Sequence, residues 1–434
     1  MEFFDNFNSK NQVCSDERLC NDDFNDELLA IVQNPAGKLD KNILMNDSFF
    51  FGFCTKPFNG VKELILNGNE LFTQIGKRLT DIDVNYLLNF LINNPDVISI
   101  SLAYNLIHCE GFINIINHII AHDHIVELNI QNNEIGPDGI AKMCENGGKL
   151  KLKILRLNGN KFGNEASKNI ALMLCNNLYI EHIEVAEVDQ TISSLIYFTT
   201  IMRSDQVEFN NCLKILDISR PNPAYMNDFD SSHFAYLIGS MLKTNTCLIE
   251  LHLQKYSFSC HDIELMLIDG ISNITLKLLD LNCNNIGDHG INSICKWLYR
   301  RPALAGLMLS HNIIKIGGAR ALSFALPFSR VQLLDISHNN INNSGIADIL
   351  NTIKKSPCMR NLRLFGNQIG DKSAKIIRRM LASGVLVQEN LDVKPYEKPD
   401  NCTCLDDSTP PSFTQSFYEL NNLLDVELSG LVED

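Results

Sequence analysis

The sequence lacks the features that mark membrane-spanning and secreted proteins. No stretch approaches the ~18 consecutive apolar residues that a spanning helix needs. The first ten residues, MEFFDNFNSK, contain neither a basic segment nor a long apolar run. We therefore expect no signal peptide, no membrane span and a cytoplasmic location. In that setting the 14 cysteines should be reduced thiols that pack as small apolar side chains.

Motifs that mark catalytic or cofactor sites are also missing. No G-x-x-x-x-G-K-[ST] or G-x-G-x-x-G loop occurs, so no nucleotide pocket is predicted. No G-x-S-x-G motif marks a nucleophile. Cys402 and Cys404 lack a second pair at zinc-site spacing, and His122 to His124 fit a surface turn better than a metal site. We expect no enzyme activity, no cofactor, no metal and no small-molecule substrate.

What the sequence has instead is one pattern repeated along most of its length. The stretches LKLLDLNCNNIGDHG, LAGLMLSHNIIKIGG and VQLLDISHNNINNSG begin at Leu276, Leu304 and Val331. Each has apolar residues at positions 1, 4 and 6, asparagine at 9 and glycine at 15, followed by apolar residues at helical spacing. The pattern can be placed eleven times, mostly with a period of about 28 residues. The change from a period of two to one of 3.6 predicts a strand and then a helix in every unit.

This repetition predicts an α/β solenoid in place of the separate domains that the chain length alone would suggest. We predict a right-handed horseshoe of about eleven strand–helix units, with a parallel sheet on the concave face and helices on the convex face. The predicted divisions are an acidic N-terminal segment and cap at 1–60, the solenoid at 61–383, and an acidic, largely disordered tail at 384–434.

The asparagine at position 9 indicates how the turn after each strand is stabilised. Backbone groups that turn away from water must find hydrogen-bond partners, and an amide side chain offers two donors and an acceptor. We predict a structural asparagine ladder formed by Asn69, Asn105, Asn133, Asn160, Asn284, Asn312, Asn339 and Asn367. Val188, Pro221 and Tyr256 interrupt the series, and we expect looser turns there.

Charge is spread unevenly along the chain. Residues 1–60 carry a net charge of −5 and residues 390–434 one of −8, against −1 for the remainder. From the fifth to the tenth unit, position 5 holds four acids, one histidine and no base. We therefore predict that a partner protein with a basic segment binds a column on the concave face. The predicted contact residues are Arg156, Glu184, Asp217, Tyr225, His252, Asp280, Asp335 and Arg363.

Alternatives remain open for each part of this site. Tyr225 lies in RPNPAYMNDFDSSH, which is either a functional loop or a neutral insertion, and aspartates are habitual at position 5 of such repeats. The basic helix positions within 296–379 lack interleaved aromatics, so nucleic acid is not favoured as a partner. The last stretch, SFYELNNLLDVELSGLVED, is either a docking segment or a solvated tail.

The lengthened first unit, LNGNELFTQIGKRLTDIDVNYLL, the RPNPAY loop and LDLNCNNIGDHG carry a resemblance to a known family. Over about residues 61–383 the units resemble the ribonuclease-inhibitor-type class of leucine-rich repeats. The resemblance implies an intracellular, non-enzymatic interaction scaffold, cytoplasmic and also nuclear or nucleolar, in a stem-cell, germ-cell or ciliary regulatory setting. The class also includes activators of the Ran GTPase, which gives the alternative function. Those activators have a dense acidic C-terminal tail, whereas in the acidic tail of this chain Pro, Ser and Leu lie between the acids.

Overall fold

Eleven strands form one parallel sheet in the order of the sequence, β1 to β11. The computed structural model describes residues 45–55, 62–163, 165–356, 358–397 and 403–407. Every strand from β1 to β11 is followed by at least one helix before the next strand begins or the sheet ends. The predicted horseshoe solenoid is confirmed, with the sheet on the concave face and the helices on the convex face.

The strands are short and the helices are longer, as the repeated pattern predicts. The strands are β1 (Lys62–Ile65), β2 (Val97–Ser101), β3 (Glu127–Asn129), β4 (Ile154–Arg156), β5 (His182–Glu184), β6 (Ile215–Asp217), β7 (Glu250–His252), β8 (Leu278–Asp280), β9 (Gly306–Met308), β10 (Leu333–Asp335), β11 (Asn361–Arg363), β12 (Val393–Glu397) and β13 (Thr403–Asp407). The helices are α1 (Asp47–Gly52), α2 (Gly68–Ile75), α3 (Asp81–Asn93), α4 (Cys109–Ala121), α5 (Pro137–Glu145), α6 (Ala166–Asn176), α7 (Ile192–Ile201), α8 (Ser231–Thr244), α9 (Cys260–Gly270), α10 (Asp288–Leu298), α11 (Ile316–Ala325), α12 (Asn343–Ile353) and α13 (Asp371–Ala382).

The core runs the length of the solenoid between the sheet and the helices. In the eighth unit Leu276, Leu279 and Leu281, at positions 1, 4 and 6, are all buried. Ile291 and Ile294 of the following helix pack against them in the same continuous apolar cluster. Since no unit can bury its apolar face alone, each one depends on its neighbours for stability. In the part of the chain that the structure describes, no helix is both long and apolar enough to span a membrane.

Atypical segments cover both ends of this core. At the first end, Phe49 and Phe50 of α1 are buried, and the Phe50 ring lies 5.1 Å from that of Phe90 in α3. Residues 45–55 thus cover this end of the core, and the remainder of the 1–60 segment, residues 1–44 and 56–60, lies outside the described residues.

At the other end, the predicted boundary at residue 383 falls too early. Leu386, Leu391 and Val393 are buried against the last unit. The Asp392 carboxylate accepts hydrogen bonds from the backbone N–H groups of Leu364 and Phe365, at 2.8 and 2.9 Å. The folded part therefore continues at least to residue 393, and the antiparallel hairpin of β12 and β13 packs on α13. Residues 408–434 of the predicted tail lie outside the described residues.

Seven asparagines at position 9 form the first amide ladder, at the carboxyl ends of the strands. Asn339 shows the arrangement: its Nδ2 donates to the carbonyls of Leu309, one unit back, and Ile336 in its own unit, at 2.9 and 3.1 Å. Its Oδ1 accepts from Ile314 N–H of the preceding unit at 3.0 Å. The same three kinds of bond occur at Asn105, Asn133, Asn160, Asn284, Asn312 and Asn367.

Asn69 does not take part, contrary to the sequence prediction. It is exposed on helix α2, which begins one residue earlier at Gly68. A Cβ at Gly68 would lie 2.1 Å from the Tyr104 carbonyl oxygen, so the helix start packs directly against the second unit. The chain enters a helix at once, and within the described ranges no strand of this sheet precedes β1 for an amide to bridge to.

A second amide ladder, which the sequence reading missed, lies at the opposite end of the strands. Asn245 donates to the Met202 carbonyl at 2.7 Å and accepts from Leu248 N–H at 2.7 Å. It thus joins the end of α7 in the fifth unit, where helix carbonyls otherwise lack partners, to the entry of β7 in the seventh. The equivalent buried residues are Asn177, Asn210 and Asn273.

The second ladder spans the units in which the first is interrupted. Three of its members precede β5, β6 and β7, the strands followed by Val188, Pro221 and Tyr256. Tyr256 itself donates its hydroxyl to the Ile218 carbonyl of the preceding unit at 2.6 Å, taking one of the missing bonds. The expected loosening of these turns is thus opposed by amide bonds at the other end of the sheet.

Replacing Asn339 by Ala should lower the free energy of unfolding by about 1–3 kcal/mol, because the buried Ile314 N–H loses its acceptor and the carbonyls of Leu309 and Ile336 each lose one of their donors. The matched control is Asn340→Ala, since that side chain is exposed and should change the same quantity by less than about 0.5 kcal/mol. Urea unfolding followed by far-UV circular dichroism measures both. Equal losses at the two positions would contradict the role of the ladder.

Candidate functional site

The residues predicted to form one column do lie in register across the concave sheet. Strand pairing aligns Arg156 with Glu184, Glu184 with Asp217, and so on through His252, Asp280, Met308, Asp335 and Arg363. Adjacent parallel strands are ~4.8 Å apart, so neighbouring side chains of this concave column act directly on each other's charge.

Near β4 and β5 the column is internally neutralised. Arg156 forms ion pairs with Glu127 and with Glu184, the latter at 3.0 Å. His182 Nε2 lies 2.9 Å from the Glu184 carboxylate. Burial alone would raise the pKa of Glu184, but His182 and Arg156 outweigh it and lower that pKa to about 2. Glu184 is therefore a carboxylate whose partners come from its own chain.

Near β7 and β8 a histidine sits among carboxylates. His252 Nδ1 lies 3.2 Å from Asp280 Oδ2, and Nε2 lies 3.5 Å from Glu250 Oε2. Burial opposes a charge on His252, yet its hydrogen bond with Asp280 and the nearby carboxylates of Glu250 and Asp217 raise its pKa well above the ordinary value. We infer that His252 is protonated near neutral pH and serves as the cation of this part of the column.

Asp217 lies between these two groups and has no cation of its own. Its carboxylate accepts a hydrogen bond from Ser219 N–H at 2.9 Å, and no ion pair joins it to any residue that the structure describes. Burial raises the pKa of Asp217, the charge of His252 opposes this, and Glu184 adds to it. A carboxylate in this position is stabilised by any cation brought close to it.

The structure removes two residues from the predicted contact surface. Asp280 and Asp335 are only 4% and 3% exposed, because neighbouring side chains of the column and its turns close over them. Asp280 accepts from Gln254 Nε2 at 2.6 Å, and Asp335 lies 3.7 Å from Arg363. Both carboxylates thus stabilise the sheet and do not face a partner.

Tyr225 is half-buried on the short 3-10 turn Pro223–Tyr225, in the loop that leaves β6. This is the strand that carries Asp217. The loop is anchored by Asn222, whose amide donates to Asp189 at 2.9 Å, and by Phe229, whose ring lies 5.7 Å from Tyr256. The insertion is therefore a packed part of the site's surroundings.

A second row of side chains, at position 8 of the units, was not predicted. In ten consecutive units this residue has a φ between 50° and 76°, the left-handed region. The residues of this rim row are Tyr104, Asn132, Gly159, Glu187, Arg220, Lys255, Cys283, His311, His338 and Gly366. The row could have been identified from the sequence, because each of its residues directly precedes the position-9 residue of its unit. Arg220 bridges the row by ion pairing with Glu187 at 2.7 Å and donating to Gln254 at 2.9 Å.

Three histidines also lie close together at the end of α4. The rings of His118, His122 and His124 are 4.6 to 6.4 Å apart, and the buried Nε2 atoms of His118 and His124 lack hydrogen-bond partners among the described residues. Burial and the two neighbouring histidines lower the pKa of His118 to about 4. Within the described ranges, no three His, Cys, Asp or Glu side chains are placed to hold a metal ion.

The repeated unit, the single-file parallel sheet and the ladder define the fold as a leucine-rich-repeat horseshoe. A family model described as Leucine Rich repeat matches residues 122–144, 272–295, 331–350 and 355–376. The chain resembles leucine-rich repeat-containing protein 34. It is 29% identical to the Mus musculus protein over 215 residues, 49% of this chain and 50% of that protein. It is 30% identical to the Rattus norvegicus protein over 189 residues, which are 43% of this chain and 45% of that protein.

Ribonuclease inhibitor from Sus scrofa is 25% identical over 170 residues, 38% of this chain and 37% of that protein. The chain thus spans about half the length, or less, of these curated relatives. Among solved structures, an internalin from Listeria monocytogenes aligns over 63% of this chain and 75% of its own, with 17% identity and a TM-score of 0.33.

Replacing His252 by Gln should lower the free energy of unfolding by about 1–3 kcal/mol at pH 6, because Asp280 and Glu250 lose their cation. The folded pKa of His252 lies above its unfolded value. Its contribution is therefore fully present below about pH 6.5 and is lost as pH rises through the folded pKa. Urea unfolding of both proteins between pH 6 and 10 should show the difference shrinking as pH increases. A difference that grows with pH would contradict the assignment.

Proposed function

We propose that this protein is a non-enzymatic interaction scaffold whose concave column receives a Lys or Arg side chain of a partner protein at Asp217. The observation that carries the proposal is the missing cation. Glu184, Asp280 and Asp335 each have a cationic partner within the chain, whereas Asp217 has none among the described residues. A partner's basic segment would supply it.

Asp217 is partly buried, and its burial makes an unpaired charge there costly. A carboxylate held in a site of low polarity pays a desolvation cost that an opposite charge offsets. The field of Glu184 on one side adds to that cost, and His252 on the other reduces it only in part, since burial still raises the pKa of Asp217. A guanidinium or ammonium group placed here gains from both carboxylates at distances where Coulomb interactions reach the kcal/mol range.

The surroundings of Asp217 suit a protein partner better than a small molecule. The rim row places exposed Glu187, Arg220 and Lys255 beside the column, and protein interfaces commonly have such a polar rim around a less exposed centre. Tyr225, on the loop that leaves the same strand, offers an aromatic surface of the kind that interfaces favour. We therefore extend the proposed contact to these residues and omit Asp280 and Asp335.

Leucine-rich-repeat proteins generally mediate protein–protein interactions, which supports the scaffold over an enzyme. No observation on the described residues favours the alternative, activation of a Ran-type GTPase. A cytoplasmic, nuclear or nucleolar location, and a role in stem cells, germ cells or cilia, are proposals that rest only on the resemblance to leucine-rich repeat-containing protein 34.

Changing Asp217 to Asn should weaken partner binding by about 1–3 kcal/mol, roughly ten- to hundred-fold in Kd, because the cation's partner is removed at constant shape. Asp217→Lys should abolish it. The partner would be identified by affinity capture and mass spectrometry, and its Kd measured by calorimetry at two salt concentrations, since binding should weaken as salt rises.

The matched control is Asp228→Asn, because Asp228 is exposed in the neighbouring loop and removes the same charge. Unfolding curves should show that Asp217→Asn remains as stable as wild type. If a partner binds wild type and Asp217→Lys equally well, the proposed site is wrong.

A further inference from the structure

A cleft of about 340 Å³ opens on the edge of the solenoid where helices lead into the next strands. It lies between the segments that follow α9, α10 and α11, on the opposite edge from the first amide ladder. Its lining includes Ile274, Trp297, Arg300, Arg301, Pro302 and Arg330. It is separate from the concave column and independent of the function proposed for that column.

The cleft presents hydrogen-bond donors without acceptors. Arg300, Arg301 and Arg330 are exposed, and none forms an ion pair with a residue in the described ranges. Trp297 is completely buried, yet its Nε1 has no hydrogen-bond partner among the described residues. Buried indole N–H groups normally find an acceptor. The cleft therefore fits a ligand that brings carboxylate or carbonyl oxygens.

The surface around the cleft is both cationic and apolar. The segments 271–279, 299–305, 326–334 and 354–362 together contain seven Lys or Arg and no Asp or Glu. Ile274 is 78% exposed, and the exposed rings of Tyr299 and Phe328 lie 6.0 Å apart. An occupant of matching chemistry is an acidic segment that also carries large apolar side chains.

We propose that residues 413–434 of this same chain bind this edge, with their carboxylates at the arginines and their apolar side chains on Ile274, Tyr299 and Phe328. Residues 408–434 contain no base. Their acids are Glu419, Asp425, Glu427, Glu433 and Asp434. Phe417, Leu420, Leu424, Leu428 and Leu431 follow at intervals of three and four, the spacing with which helical ligands place their anchors in a groove.

The chain is long enough to reach. Helices of neighbouring units pack about 10 Å apart, so the cleft lies roughly 30 Å from α13. From Asp407, the last described residue, to Phe417, the first apolar anchor, ten residues span at most about 35 Å. The other acidic segment, residues 1–44, joins the solenoid beside β1 at its far end and includes four bases. Charge and position therefore both favour the C-terminal segment.

A tethered segment needs little intrinsic affinity, because the linker gives it an effective concentration in the millimolar range. Bound, it would cover the basic edge against other anionic ligands. Any partner that offers an acidic, apolar segment to this edge would then have to displace it.

The test uses the full chain and two readouts. Hydrogen exchange followed by mass spectrometry measures the protection of residues 413–434. Because Trp297 is the chain's one tryptophan, its single indole N–H resonance reports on the cleft without assignment. Arg300→Gln with Arg330→Gln should speed exchange of the segment by at least about tenfold. Replacing the five acids of the segment by their amides should also speed its exchange by at least about tenfold, and it should shift the Trp297 indole N–H resonance.

The control pair is Lys149→Gln with Lys161→Gln, which removes two exposed charges far from the cleft and should leave both readouts as in wild type. Loss of protection at high salt would support the proposal. An unprotected segment in wild type, or protection that survives Arg300→Gln with Arg330→Gln, would overturn it. Protection that increases with protein concentration would also overturn it, since the segment would then bind a second copy.

Discussion

The need to satisfy backbone groups at the ends of very short strands shapes this molecule. Strands of mostly three residues are flanked by long turns, and those turns pack inside the solenoid, where an unpaired N–H or carbonyl is costly. Two amide ladders meet this need. Asn339 and its equivalents serve the carboxyl ends of the strands, and Asn245 and its equivalents serve the entries. Since each amide bonds to two units, the ladders also set the register that aligns the concave column.

That alignment creates the electrostatics of the candidate site. Once position 5 of successive strands is held ~4.8 Å apart, like charges cannot stand side by side without compensation. Arg156 and His252 provide it for Glu184 and Asp280. Among the described residues, Asp217 is left between them without an ion-pair partner, and the proposed function follows from that gap. At the opposite edge, exposed arginines and the Trp297 indole N–H likewise have no acceptor in the part of the chain that the structure describes.

The sequence predicts the repeating part of the structure well because the period of the apolar residues there determines which residues are buried. Apolar residues at positions 1, 4 and 6 determine which faces are buried, and hence which residues align as Glu184 and Asp217 do. The second ladder is not predictable from the repeat pattern because Asn177 and Asn245 lie in irregular segments after helices, where the apolar residues have no regular spacing. The burial of Asp280 and Asp335 depends on how neighbouring side chains and the curvature close over them, which no single unit encodes. The prediction for Asn69 was wrong because, among the residues that the structure describes, no strand of the sheet precedes the first unit.

The central claim, that amide side chains hold both ends of the strands, is tested most directly by native-state hydrogen exchange at single-residue resolution. The informative N–H groups are those that donate to ladder oxygens, Ile286 and Ile314 for the first ladder and Leu213 and Leu248 for the second. If the ladders act as described, these four should exchange only through unfolding of the surrounding units, as slowly as Leu279 at the centre of β8. Exchange at the rate of exposed loop amides would contradict it.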